Sequence, residues 1–309
     1  MDTSTDMVTV GVDGSPSALR AVRWAAREAA LRDVGLRIVH ASPHYPEFGH
    51  GTEHPEWPLA TKIAHGLVAR ARQVALSAEP GLAVETSVIT RPPSRALIEC
   101  SGDAALLVVA ARGLDGFAGL HLGSVATTVS AYAHCPVVVV RRPAIPAAEH
   151  PAPVVVGVDG SAHSQLALDF AFAFARRRNR PLVAVHCWRN LSRHAVHQVL
   201  TEAANQQDLA ESEEHVLAEA LTGWPERYPD VPISPVVRKD HPVSVLLSYS
   251  LQAEMLVVAS RGRGGFAGMV LGSTSQSLVR YASGPVAVVH PPRGVGEPAA
   301  EPSSLQASN

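Results

Sequence analysis

The chain has 309 residues, enough for two ordinary domains with a core each. Its formal charge is only −2 with no lysine- or arginine-rich run, which argues against nucleic acid as a partner. The start, Met1 to Asp6, is acidic and polar without an apolar signal core, and no apolar stretch approaches the roughly 20 residues of a membrane helix, so a soluble, cytoplasmic protein is expected. Cys100, Cys135 and Cys187 are odd in number and far apart, a pattern of reduced core thiols rather than of a disulfide frame or a zinc site.

The first β-branched run, about 7–12, leads into Val10-Gly11-Val12-Asp13-Gly14-Ser15. Ser15 before Pro16 is a helix start, with a capping side chain and a proline in the first turn; Ala18, Val22, Ala25 and Ala29 then give a small apolar stripe that can pack closely on a sheet. A second strand, 36–41, ends at His40-Ala41. The loop beyond it crowds His44, Glu47, His50, Glu53, His54 and Glu56 together. Such a set could hold zinc or nickel, but it lacks cysteine and regular ligand spacing, so a solvated loop is the expected reading. Further strands fall at 83–89, 105–110 and 136–141. Between the last two lies Ala110-Ala111-Arg112-Gly113, followed by a glycine-rich loop that ends at Gly123-Ser124. Ser124 is expected to cap the helix carrying Val125, Thr128, Val129 and Tyr132, which sets its hydroxyl at the mouth of the loop.

All of this recurs. Val156-Gly157-Val158-Asp159-Gly160-Ser161 repeats the first motif, Ala184-Val185-His186-Cys187 matches Ile38 to Ala41, and Ala259 to Ser273 repeats the glycine loop. A period this long means duplicated domains rather than a solenoid. Four prolines at 143, 146, 151 and 153 mark the linker, which sets domains at 1–145 and 152–292; residues 293–309 are expected to be a disordered tail. Strands alternating with helices predict an α/β fold of two tandem, doubly wound parallel-sheet domains.

Open sheets of this kind bind ligands at the carboxyl ends of their strands, where Asp13, Ala41 and the Gly113 loop converge. Glycines let backbone N–H groups approach an anion, and the helix behind adds its positive dipole end, so a phosphate chain is the natural guest. Asp13 accepts hydrogen bonds only, which suits ribose hydroxyls or an adenine amino group; the plainer alternative is a turn with a helix cap. Gly11 would let the ligand come near the backbone, and Ala41 and Cys187 leave room for a base. Arg112 and Arg261 could reach a phosphate or merely solvate the rim. His40 and His186 read as histidines bonded within the sheet, and Trp24, Phe170, Phe172 and Phe174 as core or interface.

These residues carry a resemblance to universal stress protein domains in both halves, from Val8 to His290. The family's nucleotide motif is a glycine, two residues, a second glycine, nine residues, a third glycine and then serine or threonine. Gly113 with Gly123-Ser124, and Gly262 with Gly272-Ser273, fit it; Ala110 and Ala259 stand in place of the first glycine. The resemblance implies a Rossmann-like, adenine nucleotide alpha hydrolase-like fold and pairing of the two halves through their last strands as a pseudo-two-fold dimer. It also implies binding of ATP or ADP, with magnesium as companion ion, by Gly11, Asp13, Ala41, Ala110, Arg112, Gly113, Gly116, Gly123, Ser124 and Val125. In the second half the corresponding residues are Gly157, Asp159, Cys187, Ala259, Arg261, Gly262, Arg263, Gly265, Gly272, Ser273 and Thr274. A regulator of stress or dormancy adaptation is the implied role, with a homodimer and a regulatory protein as partners. A nucleotide-independent scaffold and a slow ATPase are the alternatives. The chain has no glycine-lysine phosphate loop, which leaves at most weak hydrolysis. Leu114-Asp115 becomes Arg263-Gly264 in the second copy, so the second site is expected to bind ATP more tightly unless Asp115 helps hold magnesium.

Overall fold

Runs such as Leu106, Leu107 and Val108, all fully buried, make strands that are apolar on both faces, and such strands require helices above and below. The computed structural model describes residues 7–42, 57–113, 122–141, 151–189, 202–263 and 270–291. The first half runs β1 (Met7–Gly11), α1 (Pro16–Arg32), β2 (Leu36–Ser42), α2 (Trp57–Ala78), β3 (Val84–Thr90), α3 (Pro93–Cys100), β4 (Ala104–Ala110), α4 (Ser124–Tyr132) and β5 (Val137–Val140). The second runs β6 (Val154–Val158), α5 (Ala162–Arg178), β7 (Leu182–Trp188), α6 (Glu202–Ala220), α7 (Trp224–Arg227), β8 (Ile233–Lys239), α8 (Pro242–Tyr249), β9 (Met255–Ala259), α9 (Ser273–Tyr281) and β10 (Val286–Val289). The five strands expected in the first half lie within one residue of those observed. The expected linker core, tail and His/Glu-rich loop fall on residues 142–150, 292–309 and 43–56, outside the described residues.

The strands form one ten-stranded sheet in the order β3-β2-β1-β4-β5-β10-β9-β6-β7-β8. Neighbours are parallel except at the centre, where β5 and β10 run antiparallel with Val137 opposite Val288 and Val139 opposite Val286. The two halves thus pair through their last strands, as the resemblance implied. Helices α1, α2, α5 and α6 cover one face of the sheet, and α3, α4, α8 and α9 the other.

Local chemistry sets the helix ends. The Ser15 hydroxyl accepts from the Ala18 N–H at 3.1 Å, and Ser161 does the same for Ser164 at 3.2 Å. Both helices stop at a left-handed residue, Asp33 and Asn179, whose short polar side chains tolerate that conformation. Ser124 and Ser273 do not cap. Each is already the first helical residue, and the extended residue before it, Gly123 or Gly272, occupies the cap position with no side-chain bond. A serine at the first helical position leaves its hydroxyl outside capping geometry.

The seam between the halves is built from side chains of both. Trp24 stacks on Phe174 with ring centroids 6.3 Å apart, and the Arg178 guanidinium sits 4.5 Å from the Phe174 ring centre. Beneath them the Glu28 carboxylate has no solvent exposure; Arg32 Nε lies 2.6 Å away, Arg178 Nη2 2.8 Å and Arg177 Nη2 3.5 Å. Arg178 and Arg180 also pair with Glu254. Two equivalent contacts flank the central strands. Arg141, just past β5, donates to the carbonyls of Val279 and Arg280 in the last turn of α9, while His290, just past β10, donates from Nε2 to the Ser130 carbonyl of α4 at 3.1 Å.

Candidate functional site

Each half reverses its strand order between its first and fourth strands, and a crevice opens there at the carboxyl ends. The first cavity has a volume of about 420 Å³ and the second about 340 Å³. Gly11, Asp13 and Ala41 come to the first from β1 and β2, Ala110, Arg112 and Gly113 from the end of β4, and Gly123, Ser124 and Val125 from the start of α4. The second gathers Gly157, Asp159 and Cys187, then Ala259, Arg261, Gly262 and Arg263, then Gly272, Ser273 and Thr274. Every candidate residue that is described lies on one of the two walls. Gly116 and Gly265 lie outside the described residues, as do Leu114, Asp115 and Gly264.

The acid and the glycine of each site are pressed together. A Cβ on Gly113 would fall 2.3 Å from Asp13 Oδ2, and one on Gly262 would fall 2.4 Å from Asp159 Oδ2. Only glycine admits the carboxylate so near the loop backbone. Asp159 Oδ2 accepts from the Arg263 N–H at 2.8 Å, and Oδ1 from the Ser161 N–H and hydroxyl at 3.0 and 2.6 Å. Asp13 Oδ1 accepts from the Ser15 N–H at 2.9 Å. The aspartate therefore joins the turn after the first strand to the glycine loop, a structural role that the sequence did not reveal. Burial pushes the Asp159 carboxyl up, but the Ser161 and Arg263 hydrogen bonds and the Arg263 charge outweigh it and hold the group below its ordinary value. It is an anion and an acceptor at neutral pH.

Gly11 serves a different neighbour from the one expected. A Cβ there would lie 2.7 Å from Leu97 Cδ1, so the missing side chain makes room for α3 rather than for a ligand alone; Leu246 stands 3.1 Å from the same point at Gly157. Leu97 and Pro93, with Leu246 and Pro242, form a wall that sequence reasoning missed. Their signal was available, since both pairs recur at the 149-residue offset of the glycine loops. Arg263 points its guanidinium over Gly160, where a Cβ would come within 2.2 Å of Nη2. It thus leans toward the Asp159 turn.

The two walls differ in polarity. Ala18, Val125 and Ala126 in the first cavity correspond to Ser164, Thr274 and Ser275 in the second. The Ser164 and Ser275 hydroxyls donate to the Ser161 and Ala259 carbonyls at 2.8 and 2.7 Å, which ties the second site's turn and helix to its strand ends. Cys187 is partly buried, and burial pushes its thiol up to about 11, so it is a neutral, compact wall group. The histidines stay behind the cavities: His40 Nδ1 lies 2.8 Å from the Val12 carbonyl, and His186 Nδ1 2.7 Å from that of Val158 with Nε2 2.7 Å from Glu213. Both are held in the sheet, as expected, and neither lines a cavity.

The model described as Universal stress protein family matches residues 5–141 and 152–290. The universal stress protein Rv2623 of Mycobacterium tuberculosis is 41% identical over 290 residues, covering 91% of this chain and 95% of that protein. Universal stress protein Mb2019 of Mycobacterium bovis is 38% identical over 309 residues, covering 94% and 97%. Among solved structures, that of a universal stress protein from Archaeoglobus fulgidus superposes with a TM-score of 0.62 at 18% identity over 93% of this chain and 97% of that one, a likeness of fold. Among the described residues no helix is long and apolar enough to cross a membrane.

Proposed function

The chain belongs to the universal stress protein family, and from that premise we propose that each half binds one adenine nucleotide, ATP or ADP, and that occupancy makes the protein a regulator of stress or dormancy adaptation in the cytoplasm. The observation that carries this reading is the twofold recurrence of one constellation: an aspartate at the end of the first strand, in contact with a glycine loop that leads to a helix N-terminus. Phosphates suit the loop N–H groups and the first turns of α4 and α9, with Arg112 and Arg261 close by. The acceptor-only aspartate suits the hydroxyl or amino donors of a nucleoside. Magnesium would accompany the phosphates as their counter-ion.

Among the described residues the walls offer binding groups and no positioned proton-transfer pair, and a slow or absent turnover goes with this reading. Mass spectrometry of ligand released from purified, denatured protein should find adenine nucleotide at up to two per chain. Asp13→Ala with Asp159→Ala should release it while circular dichroism still reports the folded protein. No nucleotide in the released fraction together with no heat of ATP binding would overturn the proposal and favour a nucleotide-independent scaffold. Phosphate release in excess ATP and magnesium, at more than a few turnovers per hour, would favour the ATPase.

A further inference from the structure

The helices α2 and α6 occupy equivalent positions at opposite ends of one face of the molecule, yet they carry opposite charge. Helix α2 has Lys62, Arg70 and Arg72, all exposed, and no acidic residue; beside it α1 exposes Arg20, Arg23 and Arg27 at helical spacing. Helix α6 exposes Asp208, Glu211, Glu214 and Glu219 and contains no lysine or arginine. None of these ten side chains has an ion-pair partner among the described residues. Each charged surface also holds large apolar side chains in the open: Leu59 and Ile63 on α2, 60% and 54% exposed, and Leu209 on α6, 42% exposed. Apolar centres rimmed by complementary charge are the composition of a protein contact.

We propose that the α2 surface of one copy docks on the α6 surface of a second copy of this chain. Leu59 and Ile63 would pack against the second copy's Leu209, with Lys62 and Arg70 opposite its Asp208 and Glu211. A two-fold operation that brings α2 onto α6 also brings α6 onto α2, so the contact forms twice and the assembly closes as a dimer. A polyanion such as nucleic acid would use only the basic surface. Two surfaces of opposite sign, each with its own apolar centre and at pseudo-equivalent positions, favour self-association instead.

Sedimentation velocity on the full chain tests this. Wild type should be dimeric in about 0.05 M salt and dissociate at least tenfold more readily in about 0.5 M. Lys62→Glu with Arg70→Glu should be monomeric, as should Asp208→Lys with Glu211→Lys, each with an unchanged circular dichroism spectrum. The two monomeric variants mixed in equal amounts should associate with each other, because each then supplies the sign that the other lacks. A monomeric wild type at low salt, a dimer indifferent to both reversals, or a mixture that stays monomeric would overturn the proposal. Association lost on reversing α2 but kept on reversing α6, with nucleic acid in the wild-type sample, would overturn it in favour of a polyanion.

Discussion

Replacing Glu28 by glutamine tests how the two halves are held. The carboxylate is fully buried among three guanidiniums, two of them from the other half, at 2.6, 2.8 and 3.5 Å. At about 4 Å and an effective dielectric of about 20, one such pair contributes on the order of 4 kcal/mol before repulsion among the three cations is subtracted. Breaking a buried pair costs about 3–5 kcal/mol. The arginines keep 14–21% of their side-chain surface in water, so their charge stays partly hydrated and the lower end applies, about 3 kcal/mol. For a cooperative unit of both halves, that loss lowers Tm by roughly 5 °C. Urea and thermal unfolding of Glu28→Gln, Arg178→Met and the double variant should show the double losing less than the sum of the singles by at least about 1 kcal/mol, since removing one cation relieves the charge that glutamine leaves behind. A Glu28→Gln protein within about 1 kcal/mol of wild type, or strict additivity, would refute this account of the seam.

Acid should loosen the same seam from its other side. Burial pushes the His290 imidazole from 6.5 down to about 4, so the unfolded chain takes up a proton through a window in which the folded one does not. Stability is therefore whole above about 6.5 and falls by about 3 kcal/mol as the pH drops to about 4; His290→Gln should remove that share of the slope in urea titrations, and equal slopes would defeat the assignment. Gly113→Ala and Gly262→Ala each put a methyl within 2.4 Å of an aspartate oxygen, so either should weaken its own site by at least tenfold in calorimetric titration with ATP while Tm falls by only a few degrees. Gly113→Trp and Gly262→Trp, each leaving one cavity open, should show the second cavity binding ATP roughly fivefold to thirtyfold more tightly in EDTA; equal affinities would mean that the Arg263 charge is spent on the Asp159 turn over which it lies.

Much of the fold was legible because it follows from patterns confined to single segments. Strands such as Leu106 to Val109 are apolar at every position, which only a doubly covered parallel sheet accepts, and Ser15-Pro16 marks a helix start by itself. The candidate site was legible where duplication exposed it, at Asp13 and Asp159 and at the paired glycine loops. What depends on side chains meeting across elements was not. Gly11 faces Leu97 from another layer, and Glu28 looks like a polar interruption in a helix stripe until the second half brings its arginines. Ser124 was misread because a serine ahead of a helix fits both the cap and the first turn, and only the backbone angles of Gly123 distinguish them.

The antiparallel junction of β5 with β10 lies within one covalent chain, and this changes its concentration dependence. Two separate domains joined by a short strand pair would dissociate on dilution, whereas a tether of this length holds the strands at an effective concentration on the order of millimolar. The junction therefore survives however little protein a cell makes. Its two sides are also freed from being identical. In a dimer of one domain, any change appears on both sides at once; here Arg141 faces one half while His290 faces the other, and Ala18 answers Ser164. One cavity can change its lining while the other keeps its own, so that under the proposed nucleotide binding a single molecule would respond over two ranges of ligand concentration.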